Sequence, residues 1–320
     1  MKNAKKIIII TAAIVATVGL ICCLGGMIGM GFNFGNFNSS TAVTNTYKVD
    51  DAFKSILIED AESDIELYPS ADGKCKVVCD ESEKITHTVS VENGTLTVKR
   101  QDNRRWFEYF GFFLTNMKVS VYLPQDKYED LCATTLSGNV SVGKEFSFNT
   151  ARAESTSGDV RFKADVKEEL SAKSTSGEVY IENTAPQGLT AESTSGNVRI
   201  SGVKSADTLR ANSVSGNIKL TDVVCTDLTA GTTSGEVSLI NTVAGKAMSL
   251  ESTSGEIELD RCDAQSLLLK TISGGISGSL LSEKQFVTKT TSGSVNVPNS
   301  SSGGRCEVST VSGNIEFKIA

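Results

Sequence analysis

From residue 132 onward, apolar and polar positions alternate with a period of two, the pattern of a half-buried β-strand. Ser-Gly phrases punctuate the alternation at fixed intervals: LSGNV, TSGDV, TSGEV, TSGNV, VSGNI, TSGEV, TSGEI, ISGGI, TSGSV and VSGNI. Their glycines are Gly138, Gly158, Gly177, Gly196, Gly216, Gly235, Gly255, Gly274, Gly293 and Gly313, in steps of 19 or 20. So regular a period is the signature of a solenoid. Seven residues before the glycine stand Leu170, Leu189, Leu209, Leu228, Met248, Leu267 and Phe286. Five before it stand Ala153, Ala172, Ala191, Ala211, Ala230, Leu250 and Leu269, and three before it always Ser or Thr. Pairs such as Val160 and Phe162, or Ile257 and Leu259, follow the glycine. Each unit therefore predicts two short strands joined at Ser-Gly, one coil of a β-solenoid. The fold class is all-β: a parallel β-solenoid of about ten coils of 19–20 residues over 132–320. Coils ~4.8 Å apart would make a rod of roughly 45 Å. Right-handed winding is the default for parallel crossovers. A helical reading would place Gly in mid-helix at ~1 kcal/mol each. Ser or Thr three before the glycine is expected to hydrogen-bond along the axis. The glycine itself is expected to turn the chain with φ > 0.

Residues 47–131 read as an irregular N-terminal β cap, the closure a solenoid needs. Phe53 to Leu67 alternates, and Ala61-Glu-Ser-Asp-Ile-Glu-Leu67 resembles a degenerate repeat phrase. Thr86 to Val98 predicts a hairpin, with Asn93-Gly94 suited to a type I′ turn. Val119 to Leu123, before Pro124, reads as the lead-in to the regular coils. Residues 33–46, rich in Asn, Ser, Thr and Gly, read as a linker. Ile7 to Phe32 is an uncharged apolar run of 26 residues, about 39 Å as a helix at ~1.5 Å per residue. That predicts a transmembrane anchor over 7–32. Lys2, Lys5 and Lys6 place the 1–6 tail in the cytoplasm and the remainder outside. A cleaved signal peptide would carry a shorter apolar region and a small-x-small site. Cys22 and Cys23 lack the small residue a lipoprotein signal needs just before the cysteine.

Composition narrows the chemistry. The 320 residues carry a net charge of −7, which argues against nucleic acid as a partner. His87 is the single histidine. That removes two-His metal sites and H-E-x-x-H helices, and His87 reads as an ordinary strand residue. Outside the anchor, Cys75, Cys79, Cys132, Cys225, Cys262 and Cys306 read as small buried hydrophobes, not a disulfide framework. Cys75 and Cys79 are ~13 Å apart along one strand, too far to bridge. Asp159 with Glu178, and Glu236 with Glu256, fall on adjacent coils, at the spacing of a retaining glycosidase pair. Nothing in the sequence raises one carboxyl of either pair. They read as a solvated face, with calcium a minor alternative. Thr156, Thr175, Thr194, Thr233, Thr253 and Thr291 form an outward threonine column, sufficiently explained by β propensity. No catalytic residue, cofactor or metal is expected.

Arg104, Arg105, Trp106, Phe107, Tyr109, Phe110, Phe112 and Phe113 form the most unusual cluster, with six aromatics in eight positions. It reads either as a plug closing the N-terminal end of the solenoid or as an exposed patch docking on the bilayer interface or a partner. The last strand, with Ile315, Phe317 and Ile319, is expected to leave a bare edge open to end-to-end self-association.

The Ser-Gly-(Asn/Asp/Glu)-(Val/Ile) phrases, the Val121-Tyr-Leu-Pro124 lead-in and the N-terminal anchor make residues 47–320 resemble the bacterial putative-adhesin family of β-helical domains of unknown function. Some Gram-positive members resemble envelope-stress components such as the membrane-anchored G protein of the Lia operon. The resemblance implies a non-enzymatic, single-pass, extracellular scaffold binding cell-wall material or another cell. The alternative is an accessory subunit of an envelope-stress sensor or transporter, acting on a membrane-protein partner.

Overall fold

The computed structural model describes Thr17, Gly19 and residues 43–105, 117–204 and 206–320. The chain divides into two compact units, Ala42–Asn103 with Asn116–Ala320, and Met1–Thr41 with Arg104–Thr115. In the latter, Thr17, Gly19, Arg104 and Arg105 are described. The rest of the expected anchor, and the cluster residues Trp106 to Phe113, lie outside the described residues. No helix among the described residues is long and apolar enough to cross a membrane.

The larger unit is built of strands. Before the regular repeat come β1 (Val43–Val49), β2 (Ser55–Glu59), β3 (Asp64–Pro69), β4 (Cys75–Glu81), β5 (Ile85–Glu92), β6 (Thr95–Asp102) and β7 (Lys118–Leu123). The first coils use β8 (Lys127–Thr135), β9 (Val140–Val142), β10 (Ser147–Ser155), β11 (Val160–Phe162), β12 (Asp165–Ser174), β13 (Val179–Glu182), β14 (Gly188–Ser193), β15 (Val198–Ser201) and β16 (Ala206–Ser213). Then β17 (Ile218–Thr232), β18 (Val237–Ser252) and β19 (Ile257–Lys270) each run from one face of a coil into the next coil. The chain ends with β20 (Ile276–Leu280), β21 (Lys284–Lys289), β22 (Val295–Asn296), β23 (Gly304–Ser309) and β24 (Ile315–Ile319). The result is a parallel β-solenoid of about nine turns.

Register follows the columns read from sequence. Leu170 stacks on Leu189, Leu189 on Leu209, and Leu209 on Leu228. Ala172, Ala191, Ala211 and Ala230 stack beside them. All are buried, and the pairs Val160 with Phe162 and Val198 with Ile200 line the opposite wall of one continuous core. Antiparallel pairing is confined to the cap: β1 with β4, β4 with β7, and β5 with β6. Asn93 and Gly94, both at positive φ (50° and 76°), turn the β5–β6 hairpin as expected.

At both ends the spatial order of the coils departs from the chain order. The β2–β3 coil sits between the β8–β9 coil and the strands β6 and β7. So 55–69 belongs to the stack, and β7, which runs along the chain into β8 as expected, pairs in parallel with β3. The stretch read as linker also ends sooner, because β1 begins at Val43. At the other end β23 pairs with both β19 and β21, and β24 with both β20 and β22. The expected bare edge at Ile315, Phe317 and Ile319 is therefore corrected. Ile315 and Phe317 are buried, and the open edge is β21–β22, with Val287 47% and Val295 44% exposed. The physical reason is the inward face of each coil. Cys306, Val308, Ile315 and Phe317 make the last coil the more apolar one, so it takes the inner position. The displaced β21 points Lys284 inward, where it pairs with Asp263 at 2.5 Å.

The role expected of the repeat glycines is also corrected. None of the ten has a positive φ. A Cβ on Gly196 would lie 1.9 Å from the carbonyl oxygen of Gly177, and one on Gly216 2.0 Å from that of Gly196. Glycine is required because adjacent coils touch backbone to backbone there. The left-handed corner lies elsewhere, at Asn183, Gly202, Asp222, Asn241 and Arg261, with φ between 49° and 65°. Asn241 Nδ2 donates to Asp222 Oδ1 at 2.9 Å, and Arg261 Nε to Asn241 Oδ1 at 2.7 Å. Short Asn and Asp side chains tolerate this conformation, and glycine meets no Cβ penalty in it.

Candidate functional site

The Ser or Thr before each glycine works as expected and in two directions. Ser193 Oγ donates to the Gly177 carbonyl at 2.9 Å and accepts the Gly196 N–H at 2.9 Å. Ser155, Ser174, Ser213 and Ser252 repeat both contacts. The residue after the glycine makes a second ladder. Asn139 Oδ1 accepts the Asp159 N–H and Asp159 Oδ1 the Glu178 N–H, both at 2.8 Å. Asp159 also holds Arg161 at 2.7 Å. Asp159 is thus an axial acceptor held by a backbone N–H and a guanidinium. Burial, then Glu258 and Glu256, raise the Glu236 carboxyl. That shift is absent from the sequence reading, which found nothing to raise one carboxyl of the pair.

Beside the Ser ladder runs a shallow axial groove. Two cavities of about 540 and 580 Å³ share Asn212 and Ser213 and reach from Thr134 to Ser309. The outward threonines Thr156, Thr175, Thr194, Thr233 and Thr253 form one wall. Leu136, Val214 and Ile272 interrupt that column and are 58%, 49% and 52% exposed. The other wall carries Glu154, Lys173, Glu192, Glu251 and Lys270. Lys173 pairs with Glu192 at 2.8 Å and Lys270 with Glu251 at 3.8 Å. Charge is compensated between adjacent coils within the wall. The groove therefore offers hydroxyls, paired charges and isolated apolar steps.

The cap holds a buried polar cluster that sequence reasoning missed. The His87 ring is fully buried between two carboxylates, with Nε2 2.8 Å from Asp60 Oδ2 and Nδ1 3.1 Å from Glu81 Oε1. Asp60 also accepts the N–H groups of Ala61, Glu62 and Ser63 through Oδ1. Arg100 approaches Asp60 at 3.4 Å and Glu62 at 2.8 Å. Burial acts to raise the Asp60 carboxyl. The His87 ring, the Ser63 and Glu62 N–H groups and Arg100 outweigh it and hold that carboxyl well below the usual range. Glu81 is likewise held low against its burial, by Asn45, Tyr47 and both the N–H and ring of His87. His87 is thus the hinge-pin of the cap, not the ordinary strand residue the sequence suggested. Cys79, Glu81 and His87 bring three potential metal-ligand atoms within 4.8 Å of one another. The signal available in sequence was weak: Cys79 and Glu81 alternate on one strand face, but Asp60 lies 27 residues from His87.

The six cysteines outside the anchor are free, and all but the half-buried Cys132 are buried. Burial pushes the Cys75, Cys225 and Cys262 thiols up to about 11 and Cys306 to about 12. These four are packing groups with little thiolate character. In the expected aromatic cluster, Arg104 is half-buried and Arg105 exposed. Trp106, Phe107, Tyr109, Phe110, Phe112 and Phe113 lie outside the described residues.

Solved structures with a similar course include a putative adhesin from Bacteroides fragilis, 16% identical with a TM-score of 0.44, covering 88% of this chain and 98% of its own. A putative lipid binding protein from Parabacteroides distasonis is 16% identical with a TM-score of 0.43, over the same shares of the two chains. A putative adhesin from the same species is 14% identical with a TM-score of 0.43, covering 87% and 98%. No curated protein matches the sequence. The family model described as Toastrack DUF4097 matches residues 53–207 and again 203–320, the two spans that together carry the displaced first coil, the glycine column and the intercalated last coil, and the chain belongs to that family.

Proposed function

We propose that the protein is a membrane-anchored, extracytoplasmic, non-enzymatic scaffold that binds cell-envelope material along its solenoid. The axial groove carries this reading. Its hydroxyl column and internally paired charges suit an extended, hydrogen-bonding, weakly charged polymer and disfavour a polyanion. The uncharged run from Ile7 to Phe32 after Lys2, Lys5 and Lys6 supports a single-pass anchor with the solenoid outside. The test is co-sedimentation of the full-length chain, in detergent, with purified cell-wall sacculi. Saturable sedimentation, weakened about tenfold by Thr175→Arg with Thr253→Arg, is expected. Unchanged sedimentation in that double variant removes the groove from the reading, and no sedimentation at all removes the wall.

A second reading rests on the cluster from Arg104 to Phe113, an aromatic density suited to the bilayer interface. Here the protein is an accessory to an envelope-stress sensor or transporter, similar in role to the Lia-operon protein, and touches a membrane-protein partner through that segment. Crosslinking of the anchored chain in membranes, lost on replacing Trp106, Phe107 and Phe110 with Ser, is the outcome this reading requires. The open β21–β22 edge makes end-to-end self-association a further property to test, by sedimentation velocity across a concentration series.

A further inference from the structure

The geometry points to a transition-metal site in the cap, formed by Cys79 Sγ, Glu81 Oε1 and His87 Nδ1, and suited to zinc. Two observations converge. First, the donor atoms of one thiol, one carboxylate and one imidazole lie within 4.8 Å of one another, and all three residues are buried. This soft–borderline–hard set is typical of zinc, and the 3.1 Å between Nδ1 and Oε1 matches two ligands sharing one ion at ~2.0–2.1 Å each.

Second, the outer shell is in place. His87 Nε2 lies 2.8 Å from Asp60 Oδ2, so an imidazole that donates there turns the Nδ1 lone pair to the metal, in place of the 3.1 Å contact that Nδ1 makes with Glu81 Oε1. A carboxylate behind a ligating histidine is the usual arrangement at zinc, fixing the tautomer and the ring plane. Asp60 is itself held by three backbone N–H groups and Arg100, so the ring orientation is rigid. Tyr47 Oη donates to Glu81 Oε1 at 2.8 Å, orienting the third ligand.

When the ion binds, the Cys79 thiol proton leaves to solvent as the Zn–S bond forms. The metal then ties β4 to β5, beyond the reciprocal backbone hydrogen bonds of Ser82 and Ile85 that close the turn between them. It leaves the solenoid groove untouched. The alternative is a purely hydrogen-bonded clasp in which both ring nitrogens donate, to Asp60 and to Glu81.

The two differ in what a metal assay reads. The full-length chain, dialysed against zinc and then metal-free buffer, is expected to retain one zinc per chain by elemental analysis. Loaded with Co(II), it is expected to show a thiolate-to-cobalt charge-transfer band in the near ultraviolet. Cys79→Ser abolishes that band and lowers zinc affinity at least a hundredfold. Cys75→Ser, at a buried thiol on the same strand outside the cluster, leaves both unchanged. Should Cys79→Ser fail to fold, the wild-type Co(II) spectrum decides alone. A folded wild-type chain that retains no zinc and shows no charge-transfer band overturns the site. So does a band that survives in Cys79→Ser.

Discussion

Single side chains decide more here than their size suggests. At Gly196 a methyl group has nowhere to go but into the Gly177 carbonyl, 1.9 Å away, and backbone cannot swing aside as a side chain would. Gly196→Ala is expected to cost at least ~1–3 kcal/mol, the range of overpacked cores, read as a lower urea midpoint. Ser193→Ala removes one donor from the buried Gly177 carbonyl and one acceptor from the half-buried Gly196 N–H, and is expected to cost ~1–3 kcal/mol. Arg261 makes the opposite case. It holds φ at 52°, where a non-glycine residue carries ~1–2 kcal/mol of strain, and its hydrogen bond to Asn241 is exposed. Arg261→Gly is expected to raise stability by several tenths of a kcal/mol or more, because relieved strain exceeds a surface contact. A midpoint shift downward would refute the assignment of the left-handed corner. In the cap, Asp60→Asn strips the ionised partner from His87 and Arg100, and loss of a buried ion pair costs ~3–5 kcal/mol. The sign of the pH effect follows from the depressed carboxyls. Asp60 and Glu81 lie below their ordinary values of 3.8 and 4.5, so their stabilisation is complete above those values and is lost as pH falls through the folded ones. Acid titration of the melting temperature should therefore fall below about pH 4 in the wild type. The slope should be visibly shallower in Asp60→Asn, and equal slopes would contradict the role given to Asp60.

At the scale of elements, the two displaced coils set the order of local stability. β23 and β24 end the chain but lie inside the stack, each hydrogen-bonded on both sides. β21 and β22 come earlier in sequence and carry the free edge. Amide exchange should consequently be faster at Val287 and Val295 than at Val308 and Phe317, the reverse of the usual fraying toward a terminus. Faster exchange in the last coil would refute the intercalation. A truncation after Gly303 would remove an inner layer, exposing Leu267, Leu269 and Ile276 to solvent, and should damage the fold more than removal of an end coil. At the other end the β2–β3 coil is held between β8–β9 and the cap strands, so the cap and the stack share one core.

For the whole molecule, the axial repeat turns local contacts into long surfaces. Each inward column buries one residue type against itself, and each outward column presents one chemistry at every coil. The groove is the concave product of that repetition, and its function is read out by the sacculus assay. The metal site belongs to the cap alone, so zinc loading should alter thermal stability without altering that sedimentation.

The repeat was legible in sequence because a solenoid pairs each residue with one 19 or 20 positions away. A period-two pattern then fixes which residues face inward, and Leu on Leu and Ala on Ala follow. The β5–β6 hairpin was legible for an equally local reason, since Asn93-Gly94 accepts the two positive φ values a type I′ turn needs. Three features were decided by tertiary structure. The glycine column reads the same whether glycine supplies a positive φ or a close approach, and only the stacking of Gly196 on Gly177 distinguishes them. The order of the end coils depends on which inward face is the more apolar, a comparison between segments that no periodicity encodes. The Asp60–His87–Glu81 cluster joins a turn, a strand and a hairpin arm that meet only once the chain doubles back past β3. Local alternation and spacing specified the coil, and competition for the buried interior specified how the coils close.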